Sequence, residues 1–226
     1  VLLLDKPKGL SSNDAVVRAR RLLNARKAGH GGTLDPLATG LLPLLFGEAT
    51  KFAHDSLDAD KTYLAELALG VSTDTGDAEG QVLARREVDC DEAQFRAATR
   101  AFVGEIDQVP PMHSALKREG RRLYEYARAG IEVERAPREV EIHALNLALA
   151  QVDQAQAAIK IEVTCSKGTY IRTLGEDIGQ ALGCGGHLTR LRRTATGPFV
   201  AAQCITLPAL EALDDHERLN LLQPAE

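Results

Sequence analysis

The run GHGGTLDPLATG, Gly29 to Gly40, strings Gly29, Gly31, Gly32 and Gly40 around a single carboxylate, Asp35, and follows it with Pro36. Proline drives the residue before it out of the α region into extended geometry. Glycine admits backbone angles and close approaches that other residues forbid. The segment therefore holds one acid on a stiff loop against which a large ligand can lie. Two roles fit Asp35: an Asx-type turn that caps its own neighbours, or a carboxylate presented to whatever binds.

The pattern on either side reads as alternating strands and helices. Leu2–Leu4 is a buried strand, and Ser11, Ser12 and Asn13 are N-cap candidates for a helix through Asp14 to Leu23. Leu41 to Phe46 is an apolar run broken by Pro43, and Glu48 to His54 a short helix. Tyr63, Ala65, Leu67 and Leu69 alternate with Leu64, Glu66 and Ala68, which predicts a strand buried on at least one face. Helices are expected over Glu92–Val103, Tyr170–Leu182 and Pro208–Leu213, and strands over Val140–Leu149, Ala158–Cys165 and Leu188–Arg192. No GxGxxG or GxxxxGK[ST] occurs, so the expectation is a layered α+β domain and not a doubly wound nucleotide-binding one.

Composition limits the function classes. A chain of 226 residues with 44% hydrophobic content can build a full core. No apolar stretch approaches the roughly 18 residues that read as a membrane span, and VLLLDKPKG lacks the form of a signal peptide, so a cytoplasmic location is expected. The valine start suggests a trimmed chain. Cys90, Cys165, Cys184 and Cys204 form no CxxC pair, which argues against a zinc ribbon or a disulfide framework.

The net charge of −5 conceals three basic clusters. One contains Lys6, Lys8, Arg18, Arg20, Arg21, Arg26 and Lys27. The others are Lys117, Arg118, Arg121, Arg122 and Arg128, and Lys167, Arg172, Arg190, Arg192 and Arg193. Phosphate binding needs a local positive face, not a basic average. His113 to Arg138 mixes its cations with Leu116, Leu123, Tyr124, Tyr126 and Ile131, with glycines at Gly120 and Gly130. It reads equally as a flap that stacks on looped RNA or as an ordinary surface helix.

The run GHGGTLDPLATGLLPLLFGEATKF resembles the signature of the TruB-type tRNA pseudouridine synthases. VLLLDKPKGLSSND, DKTYLAELALGVSTDTGDAEGQV and CSKGTYIRTLGEDIG match further blocks of that family in the same order. Gly31 stands where many relatives carry threonine. The resemblance implies the pseudouridine synthase fold, a long, mainly antiparallel mixed sheet flanked by helices with a central cleft. It implies one catalytic domain over residues 1–226, a thumb-like RNA-binding insertion at about 112–138, and the absence of the PUA-type C-terminal domain that the family usually adds.

The implied reaction turns the uridine at position 55 of the tRNA T loop into pseudouridine, by a monomer with no cofactor, metal or protein partner. Asp35 is then the nucleophile, comparable to a glycosidase carboxylate. Arg172 is the cation that keeps it ionised against desolvation. Tyr63 stacks on the uracil and assists proton removal. His30 fills the space left by the flipped nucleotide, Tyr170 and Leu191 wall the uracil pocket, and Lys6, Lys51, Lys117, Arg118, Arg121 and Arg122 bind RNA. Without the resemblance, Arg172 fits a structural salt bridge, Tyr63 a core tyrosine and His30 a structural histidine. The acidic turn TDTGDAEG, Thr73 to Gly80, reads as a structural loop bordering the cleft, since the EF-hand pattern is absent. A non-catalytic tRNA-folding chaperone, or a guide-RNA-dependent ribosomal RNA synthase, would share much of this surface.

Overall fold

The computed structural model describes residues 1–152 and 157–224. It begins with β1 (Leu2–Lys6), α1 (Ser12–Leu22), β2 (Ala28–His30) and β3 (Thr39–Phe46). A 3-10 turn (Gly47–Phe52) then runs into α2 (Ala53–Asp58) and β4 (Lys61–Leu69). Next come β5 (Val71–Thr73), β6 (Val82–Arg85), α3 (Glu92–Arg100), β7 (Gly104–Gln108), β8 (Lys117–Arg118), β9 (Arg121–Arg122) and α4 (Leu123–Arg128). The long pair β10 (Arg138–Val152) and β11 (Ala157–Cys165) leads to α5 (Ile171–Ala181), β12 (Gly186–Thr196), β13 (Phe199–Val200), β14 (Ile205–Thr206), α6 (Leu207–Ala212) and α7 (Asp215–Asn220). The class is α+β, a large mixed sheet with helices packed on it, as expected. Among the described residues no helix is long and apolar enough to cross a membrane.

The chain forms two compact units, Val1–Leu64 with Arg190–Glu226, and Ala65–Thr189; strands β4 and β12 belong in part to each. In the first unit the strand order is β14-β1-β3-β12-β4, with β2 beside β3 and β13 beside β12. Both faces of the β1–β3 pair are buried, which accounts for sequences that are apolar without alternation. Leu3, Leu41 and Leu45 join Val1 and pack against Ala49, Ala53, Phe199 and Ala201. Leu2, Leu4, Leu42 and Leu44 are buried as well, and α1 and α6 contact the pair. Helix α1 starts at a reciprocal cap in which Ser11 and Asp14 satisfy each other's backbone N–H.

Pro43 does not break this strand. β3 runs through it, with Pro43 opposite Leu3 of β1. A strand residue directs its N–H and C=O to the same edge, and the Pro43 carbonyl accepts from Gly31 N–H at 2.9 Å. The missing N–H therefore faces the same side, between the stretch of β3 paired with β12 (Thr39, Gly40) and the stretch paired with β2 (Leu44–Phe46). Neither of those pairings includes Pro43, a position at which proline is tolerated.

In the second unit the order is β12-β4-β11-β10-β7. Ala65, Leu67 and Leu69 of β4 are buried, as are Ile159, Ile161 and Val163 of β11. Ile171, Leu174 and Ile178 line the buried face of α5. The helix expected to reach Val103 ends at Arg100, and Gly104 turns the chain into β7. That strand, GEIDQ, alternates charged and apolar residues at the sheet edge and lacks the apolar density that marks a strand. α7 falls outside the elements expected from the sequence, although Asp214 and Glu217 form a reciprocal cap with the sequence signal of a helix start.

Gly40 carries a tight constraint. Its φ is +99°, and a Cβ there would fall against the carbonyl oxygen of Arg193, its partner on β12. Gly40→Ala is expected to destabilise the chain by about 3 kcal/mol or more, since strain and overlap add. Urea unfolding with an unchanged midpoint would remove this constraint.

Candidate active site

Asp35 sits on the loop between β2 and β3, and its surroundings fix the backbone at several points. Ser12, buried on α1, donates to Leu34 C=O at 3.0 Å and accepts from Leu34 N–H at 2.7 Å. Gly9 N–H donates to Pro36 C=O at 2.8 Å, and Ala38 N–H closes a turn on Asp35 C=O at 3.0 Å. The turn is thus closed through the backbone carbonyl of Asp35. Arg193, 1% exposed, donates from Nη2 to Gly32 C=O at 3.1 Å and from Nε to Leu41 C=O at 2.8 Å. Leu34, Leu37 and Ala38 are buried while Asp35 is half-buried, so the loop turns its apolar side chains inward around the acid.

Other residues singled out in the sequence occupy the same unit. Lys6 is fully buried, and its Nζ donates to the carbonyls of Pro7 at 2.9 Å and Leu10 at 2.7 Å. It braces the turn whose Gly9 holds Pro36. His30 pairs with Leu44, and its Nδ1 accepts from Gly32 N–H at 3.4 Å. Tyr63 on β4 and Leu191 on β12 are buried on neighbouring strands. Thr39, where the loop ends, donates to Leu191 C=O at 3.4 Å. Lys51 is exposed on the 3-10 turn and pairs with Glu48.

Arg172 and Tyr170 lie in the second unit, at the start of α5. Arg172 is 4% exposed, and its guanidinium is gripped from two segments. Nη1 donates to Thr75 C=O at 3.0 Å, Nη2 to His113 C=O at 2.6 Å, and Nε stands 3.8 Å from Asp77 Oδ2. Asp77 is itself buried and held by Thr75 Oγ1 at 2.7 Å and Glu79 N–H at 3.0 Å. The acidic turn read from sequence as a cleft border is therefore part of the arginine's cage. Gly76, at φ +72°, leaves room for Glu176 of α5; a Cβ there would come 2.8 Å from the Glu176 carboxylate. Burial, then the charge of Asp177, pushes the Glu176 carboxyl up to about 7, against the opposing pull of Arg172.

The basic segment is neither one helix nor an unstructured flap. Lys117 and Arg118 pair with Arg122 and Arg121 across a turn at Glu119 and Gly120, both with positive φ, and α4 follows. Arg121 lies over the Tyr126 ring at 4.7 Å, while Arg122 and Arg128 lie over Tyr124 at 5.8 and 5.3 Å. Leu123 is the buried anchor. The cations are exposed, and Arg121, Arg122 and Arg128 lie on aromatic faces, a surface suited to phosphates and unstacked bases. Among the described residues no group of three or more His, Cys, Asp or Glu side chains could hold a metal ion.

A protein-family model described as the TruB family pseudouridylate synthase N-terminal domain matches residues 20–171. The chain belongs to the TruB family. The model for the tRNA pseudouridylate synthase B C-terminal domain matches residues 172–226. Curated relatives named tRNA pseudouridine synthase B agree along the whole chain. That of Ralstonia nicotianae is 62% identical over 226 residues, all of this chain and 72% of its own length. That of Burkholderia mallei is 64% identical, with 74% of its own length covered. Among solved structures, a chain of a Cbf5-Nop10-Gar1 complex superposes with a TM-score of 0.75 at 31% identity, covering 99% of this chain and 59% of that one. A chain of an H/ACA RNP bound to a substrate RNA containing 2'-deoxyuridine gives a TM-score of 0.67 at 29% identity, covering 92% of this chain and 50% of that one. The chain thus spans less than two thirds of either solved chain.

Glu176 gives the arginine cage a pH signature. Its carboxyl titrates near 7 in the fold against an ordinary 4.5, so the native state holds the extra proton between those values. The associated stability is complete below about pH 4.5 and is lost as pH rises through about 7. Glu176→Gln should leave stability at pH 5 nearly unchanged and raise it at pH 8 by about 1 kcal/mol, after discounting for partial solvent access. Equal stability differences at the two pH values, measured by urea unfolding, would contradict the assignment.

Proposed function

We propose that this chain isomerises uridine 55 in the T loop of tRNA to pseudouridine without a cofactor, with Asp35 as the attacking carboxylate. The observation that carries this reading is the loop at 31–38, a half-buried acid whose backbone is held by Ser12, Gly9 and Arg193. The reaction breaks the bond from ribose C1′ to N1, turns the uracil and joins C1′ to C5, after which the C5 proton leaves and N1 is protonated. No electron or group donor enters. A rigid carboxylate suits it because the same group must remain in place while the base detaches and is rejoined.

The other residues take supporting roles in this proposal. The positive charge of Arg172 keeps Asp35 ionised in a water-poor site, and the planar fork suits one carboxylate orientation. Tyr63 stacks on the flipped uracil and assists removal of the C5 proton, Tyr170 and Leu191 bound the base, and His30 occupies the space the nucleotide leaves. Lys117, Arg118, Arg121 and Arg122 on the hairpin, with exposed Lys51, grip the RNA backbone. Lys6 contributes through the turn it braces. The relatives at 62–64% identity carry the tRNA name, and this favours a tRNA enzyme acting by itself over a subunit of an assembly like that of Cbf5. Its tRNA substrate and lack of a spanning helix among the described residues fit a cytoplasmic enzyme.

Incubation with an unmodified tRNA transcript, followed by chemical mapping of pseudouridine, tests activity and position together. A modified base at 55 is the expected product. Asp35→Asn should reduce the single-turnover rate by more than about a thousandfold with tRNA affinity retained. Arg172→Lys should cost at least about tenfold, because the charge survives but the fork does not. Turnover near normal in Asp35→Asn would end the nucleophile assignment.

The hairpin makes a separate prediction. Neutralising Lys117, Arg118, Arg121 and Arg122 should weaken RNA binding and flatten its salt dependence, by about 0.7 to 0.9 in log–log slope for each phosphate no longer neutralised. The rate on saturating RNA should change less than affinity. An unaltered salt slope would return the hairpin to an ordinary surface feature.

A further inference from the structure

We infer that Gln108 is a positioning residue for the isomerisation, setting the start of α5 so that Tyr170 and Arg172 stand in register for the uridine. This rests on the reading of those two residues as parts of the reacting site. The helix needs outside help at this end. Tyr170 is its N-cap residue, and the Tyr170 side chain makes no capping bond, while the first N–H groups of any helix lack an intrahelical acceptor. Gln108, 1% exposed at the last position of β7, answers both backbone polar groups of Tyr170. Its Oε1 accepts from Tyr170 N–H at 3.0 Å, and its Nε2 donates to Tyr170 C=O at 3.3 Å.

A primary amide suits this clasp because it carries a donor and an acceptor on one neutral planar end. A carboxylate would oppose the carbonyl, and an ammonium would offer nothing to the N–H. Gln108 is in turn fixed by the sheet, opposite Arg138 of β10.

The same segment takes hold of the helix a second time. From Gln108 the chain passes through Pro110 and Pro111, whose rings stiffen it, and the Pro110 carbonyl is held by Arg135 Nη1 at 3.1 Å. It then reaches His113, whose carbonyl accepts the 2.6 Å bond from Arg172 Nη2. One stiff stretch, residues 108–113, therefore fixes the backbone of residue 170 and the guanidinium of residue 172 together. The carbonyl of the next residue, Ser114, accepts from Tyr124 N–H and so joins this stretch to α4, which follows the basic hairpin. Releasing the Gln108 clasp lets the first turn of α5 shift relative to the stretch that cages Arg172. Displacements near 1 Å at a reacting centre cost about a hundredfold in rate.

The test compares Gln108→Leu, Gln108→Glu and Arg172→Lys with the unchanged protein, measuring T-arm RNA affinity and single-turnover rate at saturating protein. Gln108→Leu should slow the rate by about 10- to 100-fold, with RNA affinity altered by less than about threefold. Gln108→Glu keeps the fold testable if the apolar variant unfolds. Protonated, the glutamic acid regains a donor and an acceptor; ionised, it opposes the Tyr170 carbonyl. Its rate relative to the unchanged protein should therefore rise as pH falls from about 8 to about 5.5. Taking that ratio cancels the titration of groups that both proteins share, Glu176 among them. A slow Arg172→Lys beside Gln108 variants of normal rate, or a ratio flat with pH, overturns the positioning role. Normal rates for Arg172→Lys as well would overturn the reading on which it rests.

Discussion

Residues 31–38 have no ladder of their own to satisfy their backbone polar groups, yet Leu34, Leu37 and Ala38 are buried. Buried peptide groups must be answered, and here the answers come from elsewhere in the chain. Ser12 on α1 meets both polar atoms of Leu34, Gly9 meets Pro36, and Arg193 on β12 meets Gly32. The same bonds that permit burial also make the loop stiff. A single acid on such a backbone loses little conformational freedom when a ligand arrives, so less binding free energy goes into ordering it.

The arginine of α5 follows the same logic with a charge in place of a peptide. A guanidinium that is 4% exposed needs several acceptors to offset its desolvation. It has the carbonyls of Thr75 and His113 and, at longer range, the Asp77 carboxylate. The two carbonyls are acceptors that any residue type at those positions would offer. Glu176 stands beside it with a carboxyl lifted to about 7, so the charge around Arg172 changes near neutral pH. The stretch from Gln108 to Ser114 runs on into the basic hairpin and reaches Arg172 through the hydrogen bond to the His113 carbonyl.

The side chains proposed to carry the chemistry are legible in the sequence because each sits in a block with an internal logic. Asp35 stands out by glycine spacing and Pro36, and Arg172, Tyr63 and His30 through the ordered family blocks. α1, β4 and α5 are legible from capping residues and from apolar spacing with period 3.6 or 2. Their limits shift by a residue or two. The strand pattern misleads at Pro43, where the cost of proline depends on which edge its nitrogen faces. It is silent on β7, where edge position replaces an apolar face by alternating charges.

By itself, then, the sequence determined the class of fold and the family and singled out Asp35 as a candidate acid, since these depend on local pattern and on residue types at set spacings. Only the tertiary structure decided what holds them. Lys6 reads as an RNA contact and is fully buried on the carbonyls of Pro7 and Leu10. Thr75, His113 and Gln108 carry no signal at all, because the first two act through backbone carbonyls that every residue possesses. Gln108 acts through an amide whose partner, Tyr170, lies 62 residues away. Such bonds depend on which chain segments the fold brings within about 3 Å, a matter of topology that no local window of sequence contains.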